Sequence, residues 1–145
     1  MEFLTQLFTN RIFLAVLAGG LGAQIIKIIV FMTKYKQKFH WKDLIVTGSM
    51  PSSHSAIVCA LAVSVGILKG VGEMFVIALI LAAIVIRDAM GVRRTAGEEG
   101  KLINELIKKT KLKVHPLHYA LGHKPNEVFA GAIIGIFAGF IVSIL

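Results

Sequence analysis

Residues 128–145 read VFAGAIIGIFAGFIVSIL. No charged side chain interrupts this run. As a helix rising about 1.5 Å per residue it reaches roughly 27 Å, close to the ~30 Å thickness of bilayer hydrocarbon. Gly131, Gly135 and Gly139 recur at every fourth position, so one side of the helix is bare and a neighbouring backbone can approach it closely. Outward from this stretch, three further apolar runs cover residues 12–32, about 55–68 and 74–90. The first repeats the small-residue spacing with Ala15, Gly19 and Ala23. The second and third are separated by Lys69-Gly70-Val71-Gly72-Glu73, a turn by composition, and read as a helical hairpin.

The bulk composition agrees with this reading. With 56% hydrophobic residues and a mean hydropathy of +0.78 over 145 residues, the chain is too apolar for an ordinary soluble domain of its size. We therefore expect an all-α membrane protein, a single membrane domain over 1–145. It should contain about four transmembrane helices plus one amphipathic interfacial helix. The lone cysteine, Cys59, lies in an apolar run and rules out an intrachain disulfide. The first ten residues lack the basic lead-in of a signal peptide, so the run at 12–32 reads as a retained helix.

Four spans place the first and third connections on the same side. Those connections carry Lys34, Lys36, Lys38, Lys42, Arg93, Arg94, Lys101, Lys108, Lys109, Lys111, Lys113 and Lys124, against only Arg11 and Lys69 opposite. Basic clusters of this kind can bind nucleic acid. Beside membrane helices they instead mark the cytoplasmic side, so we expect a multi-pass protein of the cytoplasmic membrane with both termini outside and no nucleic-acid partner. Trp41 reads as an interfacial anchor. Thr95-Ala96-Gly97-Glu98 has capping-box spacing. The helix it would open carries Leu102, Ile103, Leu106 and Ile107 on one face and Lys101, Glu105, Lys108 and Lys109 on the other. Such a helix lies on the membrane surface or packs its apolar face on the protein core.

The same basic side gathers the residues able to do chemistry. Ser52 and Ser53 follow Pro51 where a helix begins. Unpaired N–H groups and the helix dipole favour an anion there. His54, in the first turn, can act as a general acid because its ordinary pKa is near ~6.5. His123 and Glu127 share a face if the last helix starts near Pro125. A carboxylate on one ring nitrogen fixes the tautomer and frees the other to attack phosphorus. Taken alone, His123–Glu127 is a surface i,i+4 pair and Ser52–His54 an ordinary helix cap. Their convergence with Arg93 and Arg94 on one membrane face favours a phosphate site. Lys27, near the end of the first span, either snorkels to the headgroups or serves that site.

Pro51-Ser52-Ser53-His54 resembles the Pro-Ser-Gly-His motif of the PAP2 phosphatase and vanadium haloperoxidase superfamily. His123-Lys124-Pro125-Asn126-Glu127 resembles its His-x-x-x-Asp motif, with Glu for Asp. The stretches 48–56, Asp88-Ala89-Met90-Gly91-Val92-Arg93-Arg94 and Leu121-Gly122-His123 are similar to the divergent PAP2 family of small membrane proteins, over nearly the whole chain. The resemblance implies a lipid phosphate phosphatase without metal or cofactor. His123 would form a phosphohistidine, Glu127 would orient it and His54 would protonate the leaving group. Ser52, Ser53, Lys27, Lys34, Arg93 and Arg94 would hold phosphate. Lys27 and Lys34 keep the spacing of the superfamily's first motif, with lysine for its arginine and Tyr35 for its proline. Leu117 stands where the third motif has arginine, a role open to Arg93 or Arg94. Phosphatidylglycerophosphate, phosphatidate and polyprenyl (di)phosphates are the substrates to expect. The alternatives are an anionic-lipid binding or transport module with a degenerate site, and a structural partner using the glycine stripe. The site would be completed within one chain or across a homodimer.

Overall fold

The computed structural model describes residues 2–35, 50–110, 114–117 and 122–145, with side chains up to residue 33 in the first segment. Lys36, Lys38, His40, Trp41, Lys42, Lys111, Lys113 and His118, and the side chain of Lys34, lie outside the described residues, as does the anchor expected at Trp41. Every regular element among those described is an α-helix. They are α1 (Glu2–Thr9), α2 (Arg11–Tyr35), α3 (Ser53–Lys69), α4 (Glu73–Met90), α5 (Val92–Thr110) and α6 (Pro125–Ile144). Helices α2, α4 and α6 are long and apolar enough to cross a bilayer, and α3 is a shorter apolar helix of 17 residues.

Local chemistry accounts for the boundaries. Asn10 separates α1 from α2, its Oδ1 accepting from the N–H groups of Ile12 at 2.9 Å and Phe13 at 3.2 Å. Ser52 caps α3 in the same way, accepting from the Ser55 N–H at 3.4 Å. Gly70, at φ +78°, ends α3 in a backbone conformation that favours glycine, and the hairpin turns there into α4. The expected capping box at Thr95 does not form. Helix α5 begins at Val92, because the Gly91 carbonyl already accepts from the Thr95 N–H at 3.0 Å. Thr95 lies inside the helix, its hydroxyl donating to the same carbonyl at 3.3 Å. The α4–α5 junction is thus a one-residue elbow.

The core is built on three stripes with a spacing of four. Helix α2 buries Ala15, Gly19, Ala23 and Lys27, and α3 with its cap buries Ser52, Ala56, Ala60 and Ser64. The loop before α6 and α6 itself bury His123, Glu127, Gly131, Gly135, Gly139 and Ser143. The glycine stripe packs on the α3 backbone. A Cβ on Gly131 or Gly135 would overlap the carbonyl of Ser52 or Ala56, and one on Gly139 would stand 2.8 Å from the Ala60 carbonyl oxygen. Gly19 approaches α3 from the other side, its Cβ position 3.0 Å from the Ala60 methyl. Lipid tails are as apolar as any side chain, so backbone contact of this kind supplies the association that water would drive in a soluble protein.

These registers run α3 and α6 parallel, and Arg11 Nη2 donates to the Leu145 carbonyl at 3.3 Å, joining the start of α2 to the end of α6. The opposite end therefore collects the C-terminal half of α2 and the N-termini of α3 and α6. Helix α4 buries Ala78, Ala82 and Ala89 and leaves most of its remaining surface exposed. Leu102, Ile103 and Leu106 of α5 are also exposed, which favours the membrane-surface reading of that helix over packing on the core.

Candidate functional site

The polar ends of the three stripes meet. His123 in the loop before α6 is 5% exposed and Glu127 in the first turn of α6 8%, while Lys27 of α2 is 7% exposed. A surface ion pair would not be this enclosed. Glu127 Oε2 lies 3.2 Å from His123 Nδ1 and accepts from the Lys124 N–H at 3.0 Å. It therefore caps α6 and orients the imidazole with one oxygen. With the proton on Nδ1, the Nε2 lone pair is free. The charge of Lys27 reaches Glu127, His123 and His54. An inward-facing lysine at the end of a small-residue stripe favours the site over snorkelling.

Backbone hydrogen bonds fix the frame. The Ser52 N–H donates to the Glu127 carbonyl at 3.0 Å, tying the starts of α3 and α6 together. The His123 N–H donates to the Ala89 carbonyl at 3.1 Å, tying the histidine to the last turn of α4. Gly122 lies so close to the backbone of Arg93 and Arg94 that a Cβ would collide with it. Further back, Leu117 is held by Asn104, which donates to its carbonyl at 2.9 Å and accepts from its N–H at 2.7 Å.

Ser52 has a structural place. It is fully buried, and its hydroxyl oxygen accepts from both the Ser55 N–H and the Ser55 hydroxyl, the latter at 3.1 Å. The Ala56 N–H is bonded to the Ser52 carbonyl. Among the described residues, the N–H groups of Ser53 and His54 keep no such partner, and they face the position where a helix start attracts an anion. Ser53 is half-buried and His54 exposed, so the cluster opens on the His54 side.

The two arginines behave differently. Arg93 Nε donates to Asp88 Oδ2 at 2.6 Å, and the charge of Arg93 reaches both His54 and His123. Arg94 Nε pairs with Glu98 one turn further along α5, at 3.0 Å. Burial, first, and then the nearby charges of Lys27 and Arg93 push the His123 pKa below its ordinary value. The hydrogen bond and charge of Glu127 oppose that shift without overturning it. Burial thus favours the neutral ring. No group of three His, Cys, Asp or Glu side chains among the described residues could hold a metal ion. A separate open cleft of about 460 Å³ beside the elbow, lined by Arg87, Gly91, Val92, Thr95, Ala96 and Glu99, contains neither histidine.

Glu127 thus orients a buried His123, and His54, in the first turn of α3, lies within electrostatic reach of it. Residues 8–138 match the Divergent PAP2 family. The chain belongs to that family. Among curated proteins it is similar to the uncharacterized membrane protein YuiD of Bacillus subtilis (strain 168), with 38% identity over 148 aligned positions that cover 90% of this chain and 92% of YuiD. No solved structure matches. As a divergent PAP2 protein the chain is a PAP2-related membrane protein, and its apolar helices place it in a lipid bilayer. Ala89, Gly122 and Asn104 are the site's supporting residues that sequence reasoning did not single out, whereas Asp88, at the end of the third apolar run, is open in sequence to pairing with Arg87 or orienting an arginine, and the fold gives it to Arg93. Asp88 and Gly122 lie in stretches that carry the family likeness, but only the fold shows what they touch.

Proposed function

We propose that this divergent PAP2 protein is a lipid phosphate phosphatase acting through a phosphohistidine on His123 at the cytoplasmic face of the membrane. The observation that carries the proposal is the buried His123–Glu127 pair, tied by a backbone hydrogen bond to the start of the helix that bears His54.

The chemistry follows from the geometry. The phosphoryl oxygens lie against the N–H groups of Ser53 and His54, the Ser53 hydroxyl, Lys27 and Arg93, which offset the charge on the transferring group. Lys34 and Arg94, on the same side of the membrane, complete the set of cations that attract it. His123 Nε2 attacks phosphorus as the bond to the leaving oxygen breaks, and His54 gives a proton to that oxygen; burial and the charges of Arg93, His123 and Lys27 push its pKa down, and the negative charge of the bound phosphate opposes them so that it can carry that proton. Neutral His54 then takes a proton from water as the water oxygen attacks phosphorus. The N–P bond breaks, inorganic phosphate leaves and both histidines are restored. Glu127 keeps the proton of His123 on Nδ1 throughout and stabilises the positive charge that develops on the ring. Phosphatidylglycerophosphate, phosphatidate and polyprenyl (di)phosphates are the substrate classes that fit a site at the membrane face.

The test is phosphate release from a panel of these lipids by purified protein in chelator, with and without His123→Ala. Release that requires His123 is expected. Release indifferent to the substitution would remove the nucleophile. No release from any member of the panel, with anionic lipid still bound, would leave the binding-module reading.

A further inference from the structure

We infer that Asp88 is a positioning residue for the phosphate clamp, acting through Arg93. The inference rests on the phosphatase reading of the site. Asp88 closes α4 and Arg93 opens α5, so their contact crosses the Gly91 elbow. Their 2.6 Å hydrogen bond is charge-assisted and uses only Nε of the guanidinium. The four N–H donors on the two terminal nitrogens remain for an anion. Asp88 also lies within electrostatic reach of His54, so the pair borders the site rather than a remote surface. Arginine is suited to this part because its planar fork can hold a carboxylate on one edge and phosphate oxygens on another.

Arg94–Glu98 on the same helix provides an internal contrast. It too joins a guanidinium Nε to a carboxylate, at 3.0 Å, but as an ordinary pair one turn apart. Both pairs are well exposed, and exposed ion pairs add little to folding stability. A strong bond that adds little stability and spans a hinge beside two histidines has its main effect on where the guanidinium sits. It supplies from the α4–α5 elbow the arginine that the superfamily motif would have carried at Leu117.

The experiment measures vanadate binding to the full-length protein in lipid nanodiscs, with melting temperature as a companion. Arg93→Ala should weaken binding about tenfold or more, and Asp88→Ala several-fold. The double variant should bind no worse than Arg93→Ala alone, because the two residues act as one unit. Asp88→Glu should recover part of the loss, and Glu98→Gln, which removes the comparison pair and leaves Arg93 in place, should not weaken binding or lower melting. Binding by Asp88→Ala equal to wild type, or losses that simply add in the double variant, would overturn the inference while leaving the phosphate site in place. Wild-type protein that does not bind vanadate would instead remove the phosphate site itself, and Asp88's role with it.

Discussion

His123 shows how far one residue can be read from sequence. Its partner at i+4 was legible, because Pro125 announces a helix start and a carboxylate four residues on shares its face. Its burial was not, because that depends on α3 lying against the glycine stripe. Ser52 went the other way: the plain cap reading describes its hydroxyl, whereas the N–H groups beside it remain open to an anion. The choice between Arg93 and Arg94 required the elbow, which places their side chains against different carboxylates. Glu127→Gln keeps an oxygen for the Lys124 N–H, so the helix cap should survive to within about 1 kcal/mol. Turnover should nevertheless fall on the order of a hundredfold as the tautomer and developing charge lose their carboxylate. Glu127 raises the His123 pKa, so the substitution should also move the acid limb of kcat/KM to lower pH. In the wild type that limb should already lie below the ordinary imidazole value of about 6.5. Folding stability follows the same sign: the contribution of neutral His123 is complete above the unfolded pKa and is lost as pH falls through the lower folded one. A limb that stays put or moves up in Glu127→Gln would contradict the assignment of the titrating group.

The elements were legible in outline because apolar runs and small-residue spacing are local signals. The runs at 12–32, 74–90 and 128–145 lie within or close to α2, α4 and α6, and the run near 55–68 lies inside α3. Helix α1 was not anticipated: eight residues with no buried side chain give too little pattern to recognise. The capping-box spacing at Thr95 misled because Gly91 starts the helix one turn earlier. The α3 stripe was hidden among many other small residues, and only the partner glycines identify which of them form the seam. Close backbone contact makes a sharp prediction. Gly135→Leu should push α6 from α3, costing about 1–3 kcal/mol or more, and should abolish turnover by separating His123 from His54. Gly72→Ala, with open space around it, should change melting little. Equal melting of the two variants would mean that the stripe does not set the helix spacing. Asn104→Ala should lower turnover several-fold with little loss of secondary structure, because both backbone groups of Leu117 lose their partner. Turnover and circular dichroism on the same sample check this.

For the whole molecule, the fold brings Lys27, His54, Arg93, His123 and Glu127 to one end, although they come from four separate parts of the chain. That convergence was legible from counting spans, whereas the depth of the site was not. The side of the membrane remains a matter of charge. In a background with Cys59→Ser, Val71→Cys should react with an impermeant maleimide in intact cells and Lys124→Cys only after permeabilisation. The reverse labelling would turn the site outward and change the lipids it can meet. The chemistry turns on whether His123, the one buried, carboxylate-paired histidine among the described residues, carries the phosphoryl group. Rapid quench of purified protein with its lipid phosphate, followed by peptide mapping at alkaline pH, tests this directly. A phosphoryl group should appear on His123 in the wild type, accumulate in His54→Ala with a good leaving group and be absent in His123→Ala. Turnover without any phosphoryl group on His123, or with one on another residue, would contradict that role for His123.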